Sequence, residues 1–165
     1  MKFSLCLLII MLYTCVHADD EVLKCVSEAS KKYNIAEEII DAIISEESGC
    51  VYTAINIAGT GYYPIDENKA KELITAASSD GRSFDIGVMQ INKWWFDRFQ
   101  YEYSWGLDKC FNVHFGTWIL AYEVSRHGYT YEAIGRYHSH TDKYKLSYVD
   151  KIKKRIRSRI SACRP

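Results

Sequence analysis

Apolar side chains recur at intervals of three and four along most of this chain, the signature of helices with one buried face. Between residues 20 and 33 the repeat is Val22, Val26, Ala29 and Tyr33. A second helix follows, with Asn34 as its N-cap, Glu37 as the capping-box partner and Gly49 at its end. Residues 50–64 are rich in turn formers (Asn56, Gly59, Gly61, Pro64) and read as loop. Ala70, Leu73, Ile74 and Ala77 mark a short helix over Asp66–Ala77, and Ser78-Ser79-Asp80-Gly81 breaks the chain before Ser83–Asn92. Helices are expected again over Trp94–Phe99, over Asn112–Arg126 up to Gly128, and from a Thr130 cap to Tyr137. Val149, Ile152, Ile156 and Ile160 share one face of the last. Strands are hard to find, so the fold class is mostly α in a single domain.

The N-terminal end departs from this pattern. Lys2 precedes an apolar run from Leu5 through Val16, and Val16-His17-Ala18 offers small residues for cleavage after Ala18. Residues 1–18 therefore read as a signal peptide, too short to span a bilayer, with the domain over 19–165. Export is the expected localisation, to the periplasm or cell envelope or beyond the cell. Removal of the leader leaves Cys25, Cys50, Cys110 and Cys163, an even number in an exported chain, which favours disulfides. None of them has zinc-ligand spacing, and spacing leaves all three pairings open.

At 48% apolar and 14% aromatic, the 165 residues can bury a substantial core. The 21 basic side chains balance 21 acidic ones, which gives no support to nucleic-acid binding. Charge is unevenly placed, with nine acids and three bases over 19–50 against one acid and nine bases over 143–165. The basic run reads first as the solvated face of an amphipathic helix.

One acid sits where a charge is least expected. With roughly 100° per residue and Ile39 at zero, Ile43 falls near 40°, Glu47 near 80°, Ile40 near 100° and Ile44 near 140°. Glu47 thus projects from the isoleucine stripe at the end of its helix, while Glu46 falls at the flank. A carboxylate in apolar surroundings loses solvation and holds its proton more readily. A protonated carboxyl so placed is what general-acid cleavage of a glycoside requires.

Glu47-Ser48-Gly49, then Asp85-Ile86-Gly87-Val88-Met89-Gln90-Ile91-Asn92, then Tyr137 on a helix resemble the lysozyme-like lytic transglycosylases. The resemblance is closest to the small exported members that serve type III and type IV secretion, conjugation and pilus machines. Cys110-Phe111-Asn112 ahead of Gly116-Thr117-Trp118 and the Gly59–Pro64 loop extend the likeness over most of the domain. It implies a lysozyme-like fold with minimal β structure, peptidoglycan glycan strands as substrate, and no cofactor or metal. Carried across, it makes Glu47 the catalytic acid and base. Ser48 then orders the site, Met89, Gln90 and Asn92 contact the glycan, and Tyr137 supports the carboxyl. It also implies Cys25–Cys110 as one disulfide, which leaves Cys50–Cys163 as the other. The Gly-rich loop and Asp66–Ala77, inserted between two site segments, are expected to border the cleft. The family commonly has Ala-Tyr-Asn-Ala-Gly where this chain has Arg136-Tyr137-His138-Ser139-His140, so the polar contacts near residue 138 differ. His138 and His140 read as a surface pair.

In the implied reaction Glu47 protonates the leaving oxygen, then takes the proton from the muramic 6-hydroxyl as the ring closes to a 1,6-anhydro product, with help from the acetamido group. Two other readings stand beside it. Asp85 occupies the place of the second carboxylate of animal-type lysozymes, so Glu47 and Asp85 together would make a hydrolytic lysozyme. A non-catalytic glycan-binding component of an envelope complex is the third.

Overall fold

The computed structural model describes residues 19–159 and 161–164; the leader expected over 1–18 and Ile160 lie outside the described residues. Helix α1 (Asp20–Tyr33) is followed by α2 (Glu37–Glu47), strands β1 (Ile55–Ile57) and β2 (Thr60–Tyr62), and α3 (Glu67–Ser79). Then come β3 (Phe84–Ile86), β4 (Ile91–Asn92), α4 (Lys93–Phe99) and a 3-10 turn at Tyr103–Leu107. Helices α5 (Lys109–His127), α6 (Tyr131–His138) and α7 (Asp142–Ser158) complete the described chain, a mostly α arrangement with one small sheet.

The helix ends show which local signals prevailed. Asp66 and Thr130 cap α3 and α6, accepting from the backbone N–H groups of Lys69 and Ala133. Asn34 does not cap α2. It closes α1 instead, in the left-handed conformation (φ 54°) that asparagine tolerates, with its N–H donating to the Ser30 carbonyl. The open end of α2 is served from a distance: the Tyr129 hydroxyl accepts from the Ala36 N–H at 2.8 Å.

The segment expected to be loop forms half of a four-stranded antiparallel sheet of order β2-β1-β3-β4. Ala58 and Gly59, at φ 50° and 89°, make a two-residue turn whose twist suits a tight hairpin. Three-residue strands are too short to show convincing alternation in sequence, which is why helical periodicity concealed them. The alternation is present nonetheless. Ile55, Ile57, Phe84, Ile86 and Ile91 are buried, whereas Asn56, Asp85 and Asn92 between them are only partly covered. Asn56 pairs with Asp85 and Asp85 with Asn92, so the three polar residues form one row across the sheet.

The core lies between the sheet and the helices, α5 packing on α1 and α6, and α7 on α6 and α2. Ile40, Ile43, Ile44, Phe84, Ile86 and Phe96 are fully buried, each stabilising the fold by about 1.5–3 kcal/mol. Disulfides join Cys25 to Cys110 and Cys50 to Cys163, tying α1 to α5 and the end of α2 to the C-terminal segment. No helix among the described residues is long and apolar enough to cross a membrane.

Candidate active site

Helix α2 ends at Glu47, and the chain reverses through Gly49 and Cys50, both at positive φ (62° and 70°). Its isoleucines face the core, and Glu47, at their end, opens with its side chain 13% exposed into a cleft of about 280 Å3. Asn56, Asp85 and Asn92 form the sheet wall of that cleft; Tyr137 and His138 of α6 lie on the helical wall, and Gln90, Trp95 and Ile119 also line it. Glu46 turns the other way, pairing with Lys151 at 2.9 Å and Arg155 at 3.2 Å on α7. The adjacent carboxylate therefore has a structural partner outside the cleft.

The turn between β3 and β4 is held from three sides. The Ser48 hydroxyl donates to the Val88 carbonyl at 2.8 Å, and the Tyr137 hydroxyl donates to the Met89 carbonyl at 2.7 Å. Asn112 of α5 is 1% exposed; it accepts from the Met89 N–H at 2.8 Å and donates to the carbonyls of Ile86 at 2.9 Å and Gly106 at 2.7 Å. Gly87, at φ 79°, is required twice, by its left-handed backbone and because a Cβ there would collide with the Asn112 side chain and the Gly106 carbonyl. Gly116 plays the matching part on α5, where a Cβ would meet the Met89 sulfur at 2.6 Å.

This packing corrects one expected substrate contact. Met89 (0% exposed) lies beneath the cleft and not in its lining, whereas Ser48 (5%) orders the site by holding the turn, also from beneath. Gln90 does reach the cleft, at φ 46°, but its Nε2 donates to the carbonyls of Ala54 and Gly87, so the side-chain oxygen is what it can offer a ligand. Asn92 is similarly engaged. Its oxygen accepts from the Trp94 N–H, capping α4, while its nitrogen donates to Asp85 Oδ1 at 2.7 Å. Asp85 is thus held across strands by that side chain. None of the residues lining this cavity comes from 59–79; α3 packs on β1 and the 3-10 turn, and the insertion reaches the sheet wall only through Gly61, the partner of Asn56.

The two cleft carboxylates have unequal surroundings. Burial raises the Asp85 pKa, the Asn92 hydrogen bond opposes it, the Glu47 carboxylate raises it further, and His138 lowers it. Tyr137 is held well above the ordinary phenol range by burial and then by Glu47 and Asp85, so it stays a neutral donor. His138 is exposed, as is His140, yet it also faces the site. Its Nδ1 lies 3.7 Å from Glu47 Oε1, and its ring stacks on Tyr148 with centroids 4.4 Å apart and planes within 2°. Tyr148 of α7 is 3% exposed, and its buried hydroxyl has no hydrogen-bond partner among the described residues. Burial and then the Glu47 carboxylate raise its pKa well above the ordinary value, so it too remains protonated beside Glu47.

Asn56, Asn112 and Tyr148 are thus additions to the residues expected from sequence. The INI and FDI triplets flanking the hairpin carried the signal for Asn56; that for Tyr148 was a large polar aromatic on the buried face of α7, one residue before Val149. Among the described residues no group of three or more His, Cys, Asp and Glu side chains is placed to hold a metal ion. What the cleft offers instead is proton transfer. One carboxyl at the end of a buried helix, neutral phenols beside it and a wall of amides suit acid–base work on a neutral, hydroxyl- and amide-rich polymer.

No curated protein matches the chain. A family model described as the transglycosylase SLT domain matches residues 24–155, a span that runs from α1 into α7 and contains every element of the cleft; the chain belongs to this family of lytic transglycosylases, lyases that cleave peptidoglycan.

Proposed function

We propose that Glu47 performs both proton transfers of the lytic reaction at the bond between N-acetylmuramic acid and N-acetylglucosamine. Its carboxyl gives a proton to the glycosidic oxygen as the C1–O bond breaks. The resulting carboxylate then takes the proton of the muramic 6-hydroxyl as that oxygen bonds to C1. The products are a 1,6-anhydromuramic end and a free 4-hydroxyl, with no water consumed and no cofactor required. Tyr137 and Tyr148 keep neutral hydroxyl groups near this carboxyl, and Asn56, Gln90 and Asn92 present amides suited to the acetamido groups.

The observation that carries this reading is the inequality of the carboxylates. A retaining hydrolase needs the second one ionised to meet positive charge at C1. Asp85 is tied into the sheet wall by the Asn92 amide at 2.7 Å, and burial, the largest influence on it, raises its pKa, which disfavours that role. That supports a mechanism with one working carboxylate over the hydrolytic lysozyme reading, and a cleft equipped for proton transfer argues against a purely glycan-binding role. Mass spectrometry of products from intact sacculi tests it: anhydro ends are expected, and reducing ends would establish hydrolysis.

The leader-like residues 1–18 and the two disulfides favour action outside the cytoplasm, in the periplasm or cell envelope. A domain this small suits local opening of the wall for a secretion, conjugation or pilus apparatus. Fractionation of cells expressing the full chain, with and without residues 1–18, tests the address.

A further inference from the structure

The imidazole of His138 stands between Glu47 and the open cleft. Its Nδ1 lies 3.7 Å from Glu47 Oε1, and the side chain, 44% exposed, lines the cleft. With Nδ1 turned to the carboxylate, Nε2 is the nitrogen left for a ligand, and it has no hydrogen-bond partner among the described residues. The ring plane is fixed by its stack on Tyr148 of α7, with centroids 4.4 Å apart and planes within 2°, and Tyr148 is itself buried.

The other polar groups of the cleft are largely committed. Asn56 Oδ1 accepts from the Gly59 N–H at 2.8 Å, and Gln90 Nε2 donates to two carbonyls. Asn92 is engaged at both ends of its amide, and the Tyr137 hydroxyl donates to the Met89 carbonyl. Glu47 and Asp85 are the carboxylates that face the imidazole, and Asp85 Oδ1 is taken by Asn92. Where this chain has His138 the family commonly has asparagine, whose amide makes hydrogen bonds but does not pass a proton on. A neutral imidazole does, because it accepts a proton at one nitrogen while releasing one from the other.

We propose that His138 relays the second proton of the lytic reaction, carrying it from the muramic 6-hydroxyl to Glu47. As the 6-oxygen bonds to C1, its O–H bond breaks and the proton goes to Nε2. The Nδ1–H bond breaks in the same step, and that proton goes to Glu47 Oε1, which restores the carboxyl emptied by the first transfer. The imidazole ends neutral with its proton on Nε2, and exchange with water at its exposed edge returns one to Nδ1. Nothing is oxidised or reduced, and no water is consumed. The gap of 3.7 Å is of the kind that tightens once substrate is bound. The inference rests on the lytic reading of the site and refines its second step.

The test measures kcat and KM of the full-length protein on soluble glycan strands, with products identified by mass spectrometry. His138→Asn should lower kcat about 100-fold and leave KM nearly unchanged; this is the lower end of acid–base contributions, because Glu47 still reaches the hydroxyl directly. His138→Ala should fall as far, and added imidazole should restore much of its kcat by stacking on the vacated face of Tyr148. Added 1-methylimidazole has a basic nitrogen but no N–H to pass on, so it should not rescue. Equal rescue by the two would make His138 a support for the Glu47 carboxylate and overturn the relay. So would an undiminished kcat in His138→Asn, a loss confined to KM, or a folded His138→Ala protein that imidazole leaves inactive. Should His138→Ala misfold, the split between kcat and KM in His138→Asn decides. Reducing ends from the natural protein strike the proposed function, whereas anhydro ends formed at full rate by His138→Asn strike only this inference.

Discussion

The two walls of the cleft are built on opposite principles. On the sheet side, Asn92 is engaged through both ends of its amide and holds Asp85, while the adjoining turn is anchored by Ser48, Asn112 and Tyr137. On the helical side, the imidazole stands 3.7 Å from Glu47, beyond hydrogen-bond length, and the buried Tyr148 hydroxyl has no partner among the described residues. One wall is organised before any ligand arrives, which is where fixed recognition belongs. The other sets an imidazole and a neutral phenol toward a carboxyl that must give up a proton and recover it. The difference teaches where tolerance lies. Changes in the sheet wall should act through the fold, and changes in the helical wall through the chemistry.

The sharpest way to break this division is at Glu47. Glu47→Gln should lower turnover toward the upper end of about 100- to 10,000-fold, because an amide cannot donate and retrieve the proton. The melting temperature should hardly move. Loss of anhydro products with an unchanged melting curve is the expected pair of readings; a large drop in melting temperature would make Glu47 a structural residue.

Asn112→Ala tests the opposite wall. It strands the Met89 N–H and the carbonyls of Ile86 and Gly106 in the interior, a cost of roughly 3–5 kcal/mol at about 1–3 kcal/mol for each buried group after some relaxation. Urea unfolding should show it directly. Activity at low temperature should survive better than stability, and the reverse order would contradict the comparison.

The helical wall also depends on a covalent tie, since Cys50 lies just beyond the end of α2. Replacing Cys50 and Cys163 by alanine should cost about 2–4 kcal/mol, for the link closes a separation of 113 residues. A larger fractional loss of activity than in the Cys25/Cys110 pair, at matched stability, would place the effect at Glu47.

Asp85→Asn should have the smallest effect and the most informative sign. The folded-state pKa of Asp85 is raised, chiefly by burial, so folding disfavours its ionised form. Its burden on stability is fully present above the folded pKa and vanishes as pH falls below the unfolded value, where the carboxyl is protonated in both states. The amide variant should therefore be more stable than the natural protein at neutral pH and show no such gain in acid, while its side-chain oxygen still accepts from Asn92. Turnover should fall only a few-fold, within what lost hydrogen-bond geometry costs. An activity loss equal to that of Glu47→Gln, with reducing-end products, would restore the hydrolytic lysozyme.

How much of this was readable beforehand depended on the length over which a signal was written. Helix α1 carries four turns of its repeat, and its bounds follow directly from Val22, Val26, Ala29 and Tyr33. The cap at Thr130 is a local event and equally plain. Asn34 closes α1 and does not open α2 as expected, because asparagine suits both an N-cap and a left-handed C-cap. The choice was made by Tyr129, which serves the next helix from another part of the chain.

Periodicity by itself determined that Glu47 would stand among isoleucines at the end of α2, and the resemblance to lytic transglycosylases implied Glu47, Asp85–Asn92 and Tyr137 as the parts of one site. Only the tertiary structure decided what each part faces. The hairpin register set Asn56 beside Asp85, burial turned Ser48 and Met89 into supports, and α7 brought Tyr148 under His138 and toward Glu47. The physical reason is the reach of the interactions. Helix phase and capping act within a few residues, where sequence spacing is spatial spacing, whereas cross-strand pairing and desolvation depend on neighbours that only the folded chain supplies.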